Sequence, residues 1–506
     1  MKTKNIKKSV MLMFALALVS VGCSDFVDVN DNPNNPPIST PSLTLPVAQQ
    51  DFTALNARTL TYLGNELVVN WATPSNWSAN QIYARYNFTS GDFTNIFETS
   101  YADIFKNLTY IENYTDPSGA VDYTNYQAIS TIIKGFQYQI LVDLYGDVPY
   151  TEANLRGDNT TPAYDDAETI YKAVIDELTE VVNTINNAPV NAEDPADQDI
   201  INQGHMDEWA AFANSIKLRM LVRLSNTGQD SYIAGQIASI NANGAGYITE
   251  SITANPTSIG DGGYSSDEFK QNPFWDYFRE PVTGAEANRG DYTVASETAI
   301  DFLTNNDDPR LERLYAPAEN TGEFKGVEQS TSLPGTGFTS KDLAKVGPGL
   351  LKGPNQDQII MSLAEALFVQ AEATVRGYLP GGDAAAQELY ESAIEASFAQ
   401  LGVEAAEIEA QSYYGQTIEN VGWSASSNKI EAIITQKWVA LNGTSSIESW
   451  IDLTRTGYPA DLPIPAESGG TRPVRLLYPD TEVARNSANV PTQGVTDVFT
   501  NDPFWR

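Results

Sequence analysis

The chain has 506 residues, with 65 acidic and 30 basic side chains, and its formal net charge is −35. This charge has the wrong sign for a nucleic-acid-binding protein, because phosphate recognition needs a basic surface. A single histidine and a single cysteine exclude a His/Cys zinc cluster and a disulfide framework.

The first residues have the pattern of an export signal. Four lysines within the first eight residues precede the apolar stretch 10–19, which is long enough for a signal peptide but too short to cross a membrane. The following Ser20–Cys23 is similar to a bacterial lipobox, in which the cysteine is lipidated. We therefore expect residues 1–22 to be a removed signal peptide and residues 23–45 to be a tether lipidated at Cys23. An ordinary cleaved signal peptide is the alternative.

The rest of the chain reads as amphipathic helices. Apolar residues recur at helical spacing, with Gly146 placed to end the first helix and Asp165 placed to cap the second. Strand-like alternation is scarce. We therefore predict that residues 46–506 form a single all-α domain of tetratricopeptide-like helix pairs, an α-α superhelix with little β structure. The apolar stripes lie in residues 129–144, 170–185, 209–224, 360–371, 383–401 and 430–441.

Two stretches interrupt this helical pattern. Residues 251–295 and 315–357 read as uninterrupted loops, which are too long to be simple connections in a compact domain. Long loops on a rigid scaffold usually carry function. We therefore expect a loop-rich binding subregion at about 251–357.

Several motifs together point to a known family. Tyr145–Tyr150 (YGDVPY) closes a helix, Asp308–Leu311 reads DPRL, and Trp450–Pro459 reads WIDLTRTGYP. In this order the motifs resemble the SusD/RagB family of nutrient-binding outer-membrane lipoproteins, and the sequence DFVDVNDNPNNP after Cys23 resembles its SusD-like subgroup. Further matches are the opening Cys23–Phe26, the segment Asn32–Pro36, the helix Trp209–Arg223 and the tail residues Tyr478, Pro479, Glu482, Asn486 and Asn489.

The resemblance implies a fold, a place and a partner. It implies four tetratricopeptide-like helix pairs with a loop-rich binding region, lipid-anchored at the outer membrane and facing the cell exterior. It also implies a lid on a SusC-like TonB-dependent transporter, which receives an oligosaccharide or another nutrient from the lid. A protein of this kind binds its ligand without catalysis.

Aromatic residues outside the helical stripes are the candidate ligand residues. A sugar offers apolar C–H faces and a rim of hydroxyls, so its binder needs aromatic platforms flanked by amide, carboxylate or arginine groups. For each residue, packing back onto the scaffold is the alternative. The candidates are Trp71, Trp77, Asn80, Tyr83, Arg85, Trp275, Tyr277 and Arg279, and a third aromatic group is Tyr413, Tyr414 and Trp423. Arg85, Arg279 and Arg289 are also suited to holding an acidic sugar.

Catalytic and metal motifs are not found in the sequence. It contains no Gly-x-Ser-x-Gly, no HExxH and no phosphate-binding glycine-rich loop, and its 65 acidic residues single out no glycosidase pair. His205 is interpreted as a solvated or capping residue. The start at Asp28 is similar to a calcium loop, but Pro33 stands where glycine is required. We expect no enzyme, no cofactor and no catalytic metal, while a structural calcium ion elsewhere stays open.

Four functional hypotheses follow from the sequence. The leading one is a surface lipoprotein that binds oligosaccharide nutrient and delivers it to a TonB-dependent transporter. A peptide or glycopeptide receptor of the same architecture is the second. A surface glycan-degrading enzyme and a purely structural lipoprotein are the others.

Overall fold

The computed structural model describes residues 39–256, 262–328, 337–465, 468 and 470–506. The predicted signal peptide, residues 1–22, and the predicted lipidation site Cys23 lie outside these residues. Helix α1 (Pro41–Leu55) begins inside the segment predicted as a tether. Among the described residues, no helix is both long and apolar enough to span a bilayer.

Helices make up most of the described chain. A π-helical turn, Asn56–Leu60, continues α1 into the next helix, α2 (Thr61–Leu67). The helices that follow are α3 (Gln81–Arg85), α4 (Thr94–Thr99), α5 (Lys106–Glu112), α6 (Thr124–Tyr145), α7 (Ala167–Asn186), α8 (Met206–Arg223), α9 (Asp230–Asn243), α10 (Pro273–Phe278), α11 (Asn288–Tyr292), α12 (Glu297–Asn305), α13 (Leu311–Leu314), α14 (Leu363–Val375), α15 (Gly382–Leu401), α16 (Ala406–Tyr414), α17 (Lys429–Ala440), α18 (Ser446–Thr456), α19 (Asp480–Arg485) and α20 (Asp497–Thr500).

Helices that follow one another pack as pairs. Helix α5 packs on α6, α7 on α8, α14 on α15, and α17 on α18. Contacts between α6 and α7, between α8 and α14, and between α14 and α17 join the pairs into one scaffold. The predicted all-α fold of helix pairs is therefore confirmed.

The predicted apolar stripes form the core of this scaffold. The stripe residues of 129–144 and 209–224 are buried between paired helices, as their helical spacing requires. Gly146 ends α6 with a φ of +81°, a conformation that glycine adopts without steric cost.

The predicted cap of α7 is wrong by one residue. Asp166 is the N-cap, and its carboxylate accepts the backbone N–H of Thr169 at 2.9 Å. Asp165 instead accepts the backbone N–H groups of Tyr150 at 3.0 Å and Thr151 at 2.8 Å. It therefore anchors the chain that leaves α6, and both aspartates satisfy backbone donors.

The predicted loops contain short regular elements. Strands β1 (Trp71–Ala72), β2 (Ile252–Ala254), β3 (Val294–Ala295), β4 (Tyr315–Ala316), β5 (Lys345–Val346) and β6 (Gln358–Met361) form two small sheets. One has the order β1-β3-β5-β4 and the other pairs β2 with β6, all antiparallel. The prediction of uninterrupted loops over 251–295 and 315–357 is therefore wrong, because strands of two residues are too short to show an alternating pattern.

Charged side chains meet in the interior where five helices, α6, α8, α14, α17 and α18, come together. Each of these charged residues is at most 5% exposed. This buried ion network consists of Asp143, Arg219, Arg223, Glu365, Glu372, Lys437, Glu448, Asp452 and Arg455.

Two arginines of α8 form one half of the buried ion network. Arg219 Nη1 lies 2.7 Å from Glu365 Oε1 and 3.6 Å from Glu448 Oε1. Arg223 binds the other oxygen of Glu448, and its Nη1 lies 3.4 Å from Asp143 Oδ2. Burial by itself would raise the pKa of Glu448, but the two arginines lower it to about 2. Glu448 is therefore a carboxylate at neutral pH, paired on both oxygens.

The other half of the buried ion network joins α14, α17 and α18. Arg455 Nη1 lies 2.6 Å from Glu372 Oε1, and its Nη2 lies 3.0 Å from Asp452 Oδ1. Lys437 Nζ lies 2.8 Å from the second oxygen of Asp452. Burial opposes ionisation of Asp452, but Lys437 and Arg455 lower its pKa. Every carboxylate of this half thus has a cationic partner.

Glu66 is a buried carboxyl of a different kind. Its side chain in α2 is 3% exposed, and its Oε1 has no hydrogen-bond partner among the described residues. Burial raises the pKa of Glu66 from 4.5 to about 8, and the nearby Tyr62 hydroxyl opposes this only in part. Glu66 therefore holds its proton near neutral pH.

We predict that Arg455→Ala lowers the free energy of unfolding by about 3–5 kcal/mol, because it leaves Glu372 and Asp452 buried with less positive charge to balance them. Lys172→Ala is the matched control. It breaks the partly exposed i,i+4 pair with Glu168, whose charged atoms are 2.7 Å apart, and should cost no more than about 0.5 kcal/mol. Urea unfolding followed by circular dichroism measures both. Equal losses in the two variants would contradict the role of the network.

We predict that Glu66→Gln stabilises the protein increasingly as the pH rises. Between about pH 4.5 and about pH 8, the folded state holds a proton at Glu66 that the unfolded state has released. The wild type therefore loses stability with rising pH at this site, by up to ~1.4 kcal/mol per pH unit. Glutamine mimics the protonated acid and removes that loss. Unfolding free energies measured at pH 5, 6, 7 and 8 test this, and a difference from wild type that is constant across the series would refute it.

Candidate functional site

The two main candidate segments, 71–85 and 275–279, fold against one another around Tyr62 of α2. Its ring centroid lies 5.7 Å from that of Trp71, 6.1 Å from that of Tyr83 and 6.0 Å from that of Tyr277. Residues about 200 positions apart in the sequence thus share one aromatic cluster. Tyr62 is not among the candidates predicted from the sequence; it lies within α2 and is 4% exposed.

Two candidates belong to the buried layer of this cluster. Trp71 is fully buried in β1, edge-on to Phe278 at 5.6 Å. Tyr83 is 7% exposed and packs against Phe88 and Phe93. Neither ring offers a face to a ligand, so we remove Trp71 and Tyr83 from the ligand-contacting set. Both rings instead pack in the interior against Tyr62.

Trp77 is more accessible than Trp71 and Tyr83, and a hydrogen bond and a ring contact fix its orientation. The half-buried indole donates its N–H to Asp291 Oδ2 at 2.7 Å. Its ring meets Tyr292 edge-on at 5.5 Å. Asp291 also accepts from Lys345 Nζ at 2.9 Å, and these hydrogen bonds lower its pKa although burial opposes the shift. Trp77 is therefore a positioned aromatic platform of the kind that sugars pack on.

Asn80 and Arg85 mark the two ends of the short helix α3, which follows Trp77 in the chain. Asn80 has a φ of +55°, a left-handed conformation that asparagine tolerates better than most residues. Its amide donates to the Tyr62 hydroxyl and to Thr73 Oγ1 at 3.2 Å. Arg85 is the last residue of α3 and is half-buried. Asn80 thus ties the start of α3 to Tyr62.

The second segment is the short helix α10. Asn272 caps it by accepting the N–H groups of Phe274 and Trp275, each at 2.9 Å. An ion pair of 2.6 Å between Arg58 and Asp276 holds α10 against the π-helical turn. The sequence around 272–276 therefore fixes the direction in which the next side chains point.

Trp275 and Tyr277 stand on α10, and Arg279 follows it directly. All three side chains are half-buried. The guanidinium of Arg279 lies 5.6 Å from the ring centroid of Trp275. The guanidinium of Arg289, on α11, lies 3.6 Å above the ring of Tyr277. Arg289 Nε also donates to the Tyr292 hydroxyl at 3.2 Å. Arg289 and Tyr292 therefore connect the Trp77 platform to Tyr277, which stands on the same short helix as Trp275.

We call the resulting surface the aromatic face. Its members are Trp77, Asn80, Trp275, Tyr277, Arg279, Arg289 and Tyr292. In the sequence, Tyr292 is distinguished only by its place in the predicted loop, three residues after Arg289.

The third aromatic group does not belong to a surface site. Tyr413 and Trp423 are each 2% exposed and pack in a second hydrophobic cluster. The hypothesis of a loop cluster at these residues is therefore wrong. Tyr414 is half-buried, and its hydroxyl donates to Glu395 at 2.8 Å. His205 is exposed at the N-cap position of α8, as interpreted from the sequence.

Among the described residues, larger cavities lie outside the aromatic face. One of about 650 Å³ lies between the β2-β6 sheet and α15 and is lined by polar groups such as Lys352 and Asp357. Another of about 410 Å³ lies beside α1 and includes Tyr264 and Phe269. None of the sequence candidates lines either cavity. In the part of the chain that the structure describes, no group of three or more His, Cys, Asp or Glu side chains is arranged to hold a metal ion.

Comparisons with known structures support the fold. A SusD homologue from Bacteroides fragilis shares 22% identity with a TM-score of 0.72, covering 92% of this chain and 97% of its own. A Bacteroides vulgatus protein, titled as an outer-membrane protein with a suggested role in nutrient binding, shares 21% identity with a TM-score of 0.72, covering 92% and 100%. A chitin-binding SusD homologue from Flavobacterium johnsoniae shares 21% identity with a TM-score of 0.70, covering 88% and 94%.

The sequence itself identifies the family. No curated protein matches the chain. Residues 33–479 match the SusD-like family that is described as starch-binding and associating with the outer membrane. This match spans most of the chain, including the aromatic face and the buried ion network. The protein therefore belongs to the SusD-like family of outer-membrane-associated binding proteins.

Proposed function

We propose that this protein is a surface lipoprotein that binds an oligosaccharide at the aromatic face and delivers it to a TonB-dependent transporter, whose lid it forms. The observation that carries the binding proposal is the convergence of two distant sequence segments into one half-exposed set of aromatic and polar side chains. Trp77 packs on Tyr292 from one segment, and Tyr277 of the other segment packs on Arg289, which bonds Tyr292.

The chemistry of the aromatic face suits a sugar. Half-buried rings offer apolar surface for C–H faces, while Arg279 and Arg289 offer hydrogen-bond donors for ring substituents. Tyr277 packs against the buried Tyr62, and the hydrogen bond to Asp291 holds Trp77, so binding would need little rearrangement of the protein. Membership of a family described as starch-binding, and the chitin binding of the Flavobacterium johnsoniae homologue, support carbohydrate as the ligand class.

The proposed anchor and partner rest on the sequence and on the family. The lipobox-like Cys23 supports attachment to the outer membrane through lipid, and the family description supports association with that membrane. A SusC-like transporter as partner, the lid role and the outward orientation follow from the family resemblance. A single acyl chain anchors weakly, so the proposed attachment needs several chains or contact with the partner.

Binding without catalysis is part of the proposal. Among the described residues, the carboxylate that contacts Trp77 is Asp291, and it is already engaged by Trp77 and Lys345. A glycosidase needs two carboxyl groups poised across one bond. A peptide or glycopeptide receptor of the same architecture remains the second hypothesis from the sequence.

We predict that Trp77→Ala and Trp275→Ala each weaken oligosaccharide binding by about tenfold or more, because each removes an aromatic platform. Isothermal titration calorimetry of residues 24–506 with chito-, malto- and other soluble oligosaccharides measures the affinities. Phe269→Ala is the matched control, since Phe269 is 92% exposed in the same part of the chain but outside the aromatic face. Wild-type affinity in both tryptophan variants would place the ligand elsewhere, and cleavage products in the mixtures would indicate an enzyme.

We predict that Cys23→Ala abolishes incorporation of labelled fatty acid and releases the protein from the outer-membrane fraction. The physical reason is that a thiol-linked lipid supplies the apolar anchor that the described chain lacks as a spanning helix. Metabolic labelling and membrane fractionation in a Gram-negative host that processes lipoproteins measure both effects. Unchanged labelling in the variant would contradict the assignment of Cys23.

A further inference from the structure

The aromatic face carries more hydrogen-bond donors than acceptors. Arg289 uses only Nε, which bonds the Tyr292 hydroxyl. Its two terminal nitrogens have no acceptor among the described residues and are not enclosed by the protein. Arg279 has no acceptor within the described chain either, and its Nε is buried without one, as is the indole N–H of Trp275.

The acceptors next to these donors are already occupied. Asp291 accepts from Trp77 and Lys345, and Glu286 accepts from the same lysine. Asp276 accepts two hydrogen bonds from Arg58. In the part of the chain that the structure describes, neither Arg279 nor Arg289 forms an ion pair with a carboxylate. This is notable because acidic residues outnumber basic ones 65 to 30.

Glu66 does not cancel this positive charge. It lies beneath the aromatic face in the same helix as Tyr62, and its raised pKa of about 8 keeps it protonated near neutral pH. The aromatic face therefore carries two unpaired guanidinium groups within a strongly acidic protein. Unpaired positive charge of this kind is most readily matched by an anionic group from a ligand.

The geometry of Arg289 favours a planar anion. Its guanidinium is stacked on Tyr277 at 3.6 Å, and stacking leaves the N–H groups in the guanidinium plane free to bond outward. Two parallel N–H donors match the two oxygens of a carboxylate. The stack also holds the side chain in place, so less rotamer entropy is lost on binding.

We propose that the ligand of the aromatic face is an oligosaccharide that carries a uronic acid, whose carboxylate pairs with Arg289 while a neighbouring sugar ring packs on Trp77. This inference rests on the proposed function and names its ligand class. Arg279 adds a second positive charge on the Trp275 side. One or a few carboxylates suit the site better than a dense polyanion, because the net charge of −35 repels extended negative chains.

The test uses residues 24–506 and three sets of uronic-acid oligosaccharides, derived from pectin, glucuronoxylan and alginate. Each is paired with its carboxyl-reduced form, in which the carboxylate has become a hydroxymethyl group. We expect at least one acidic oligosaccharide to bind at least about tenfold more tightly than its reduced form, because a hydrogen bond to a charged group contributes about that much. Binding should also weaken with added salt.

Variants separate the role of Arg289 from a structural one. Arg289→Gln should abolish the preference, so that the acidic and the reduced form bind this variant with equal affinity. Arg289→Lys should retain only part of the preference, since lysine cannot present two parallel N–H donors. Arg485→Gln, which makes the same charge change at an exposed residue of α19, should leave it unchanged. Thermal unfolding checks that all variants are folded.

The outcomes distinguish this inference from the proposed function. Equal binding of acidic and reduced forms, or binding of neutral oligosaccharides alone, would overturn the uronic-acid inference and leave the carbohydrate receptor standing. Binding of acidic peptides with no glycan bound would overturn both. An acid preference that survives in Arg289→Gln would also overturn the assignment of the carboxylate to that residue.

Discussion

Five helices of the scaffold meet through charged side chains that have almost no access to water. Isolated buried charges are strongly unfavourable, so Arg219, Arg223 and Arg455 can be inside only if their carboxylate partners arrive from other helices. Such a network adds little net stability over an apolar core of the same shape. It does penalise any packing of the helices that leaves a partner unpaired, and so it favours one arrangement of the helix pairs.

The aromatic face depends on that arrangement. Tyr62 lies in α2, which packs against α18 of the buried ion network, and the rings of Trp71, Tyr83 and Tyr277 surround it. The buried rings fix the positions of the half-buried ones, while hydrogen bonds and ion pairs fix their orientations. The short strands and helices between 251 and 357 thus act as a rigid support, and the surface chemistry is set by the few side chains that stand on it.

The helical scaffold could be predicted from the sequence because its apolar residues recur over many turns, as in 129–144 and 209–224. The candidate site could be predicted only in part. Trp77 and Trp275 were recognised by residue type outside the stripes, but Trp71 and Tyr83 have the same type and are buried. Which aromatic residue faces outward depends on contacts across about 200 residues, and Tyr62 and Tyr292 carry no local signal of this role. Two-residue strands likewise arise from tertiary pairing that no local pattern shows.

The most direct test of the account is a crystal structure of the protein with a bound oligosaccharide chosen from those that bind in solution. If the aromatic face binds the oligosaccharide, we expect one sugar ring in van der Waals contact with Trp77, roughly 3.5–4 Å from the indole. We expect a second contact between the oligosaccharide and Tyr277 or Trp275. A sugar bound in the cavity of about 650 Å³ beside Lys352 and Asp357, with the aromatic face empty, would contradict the central claim.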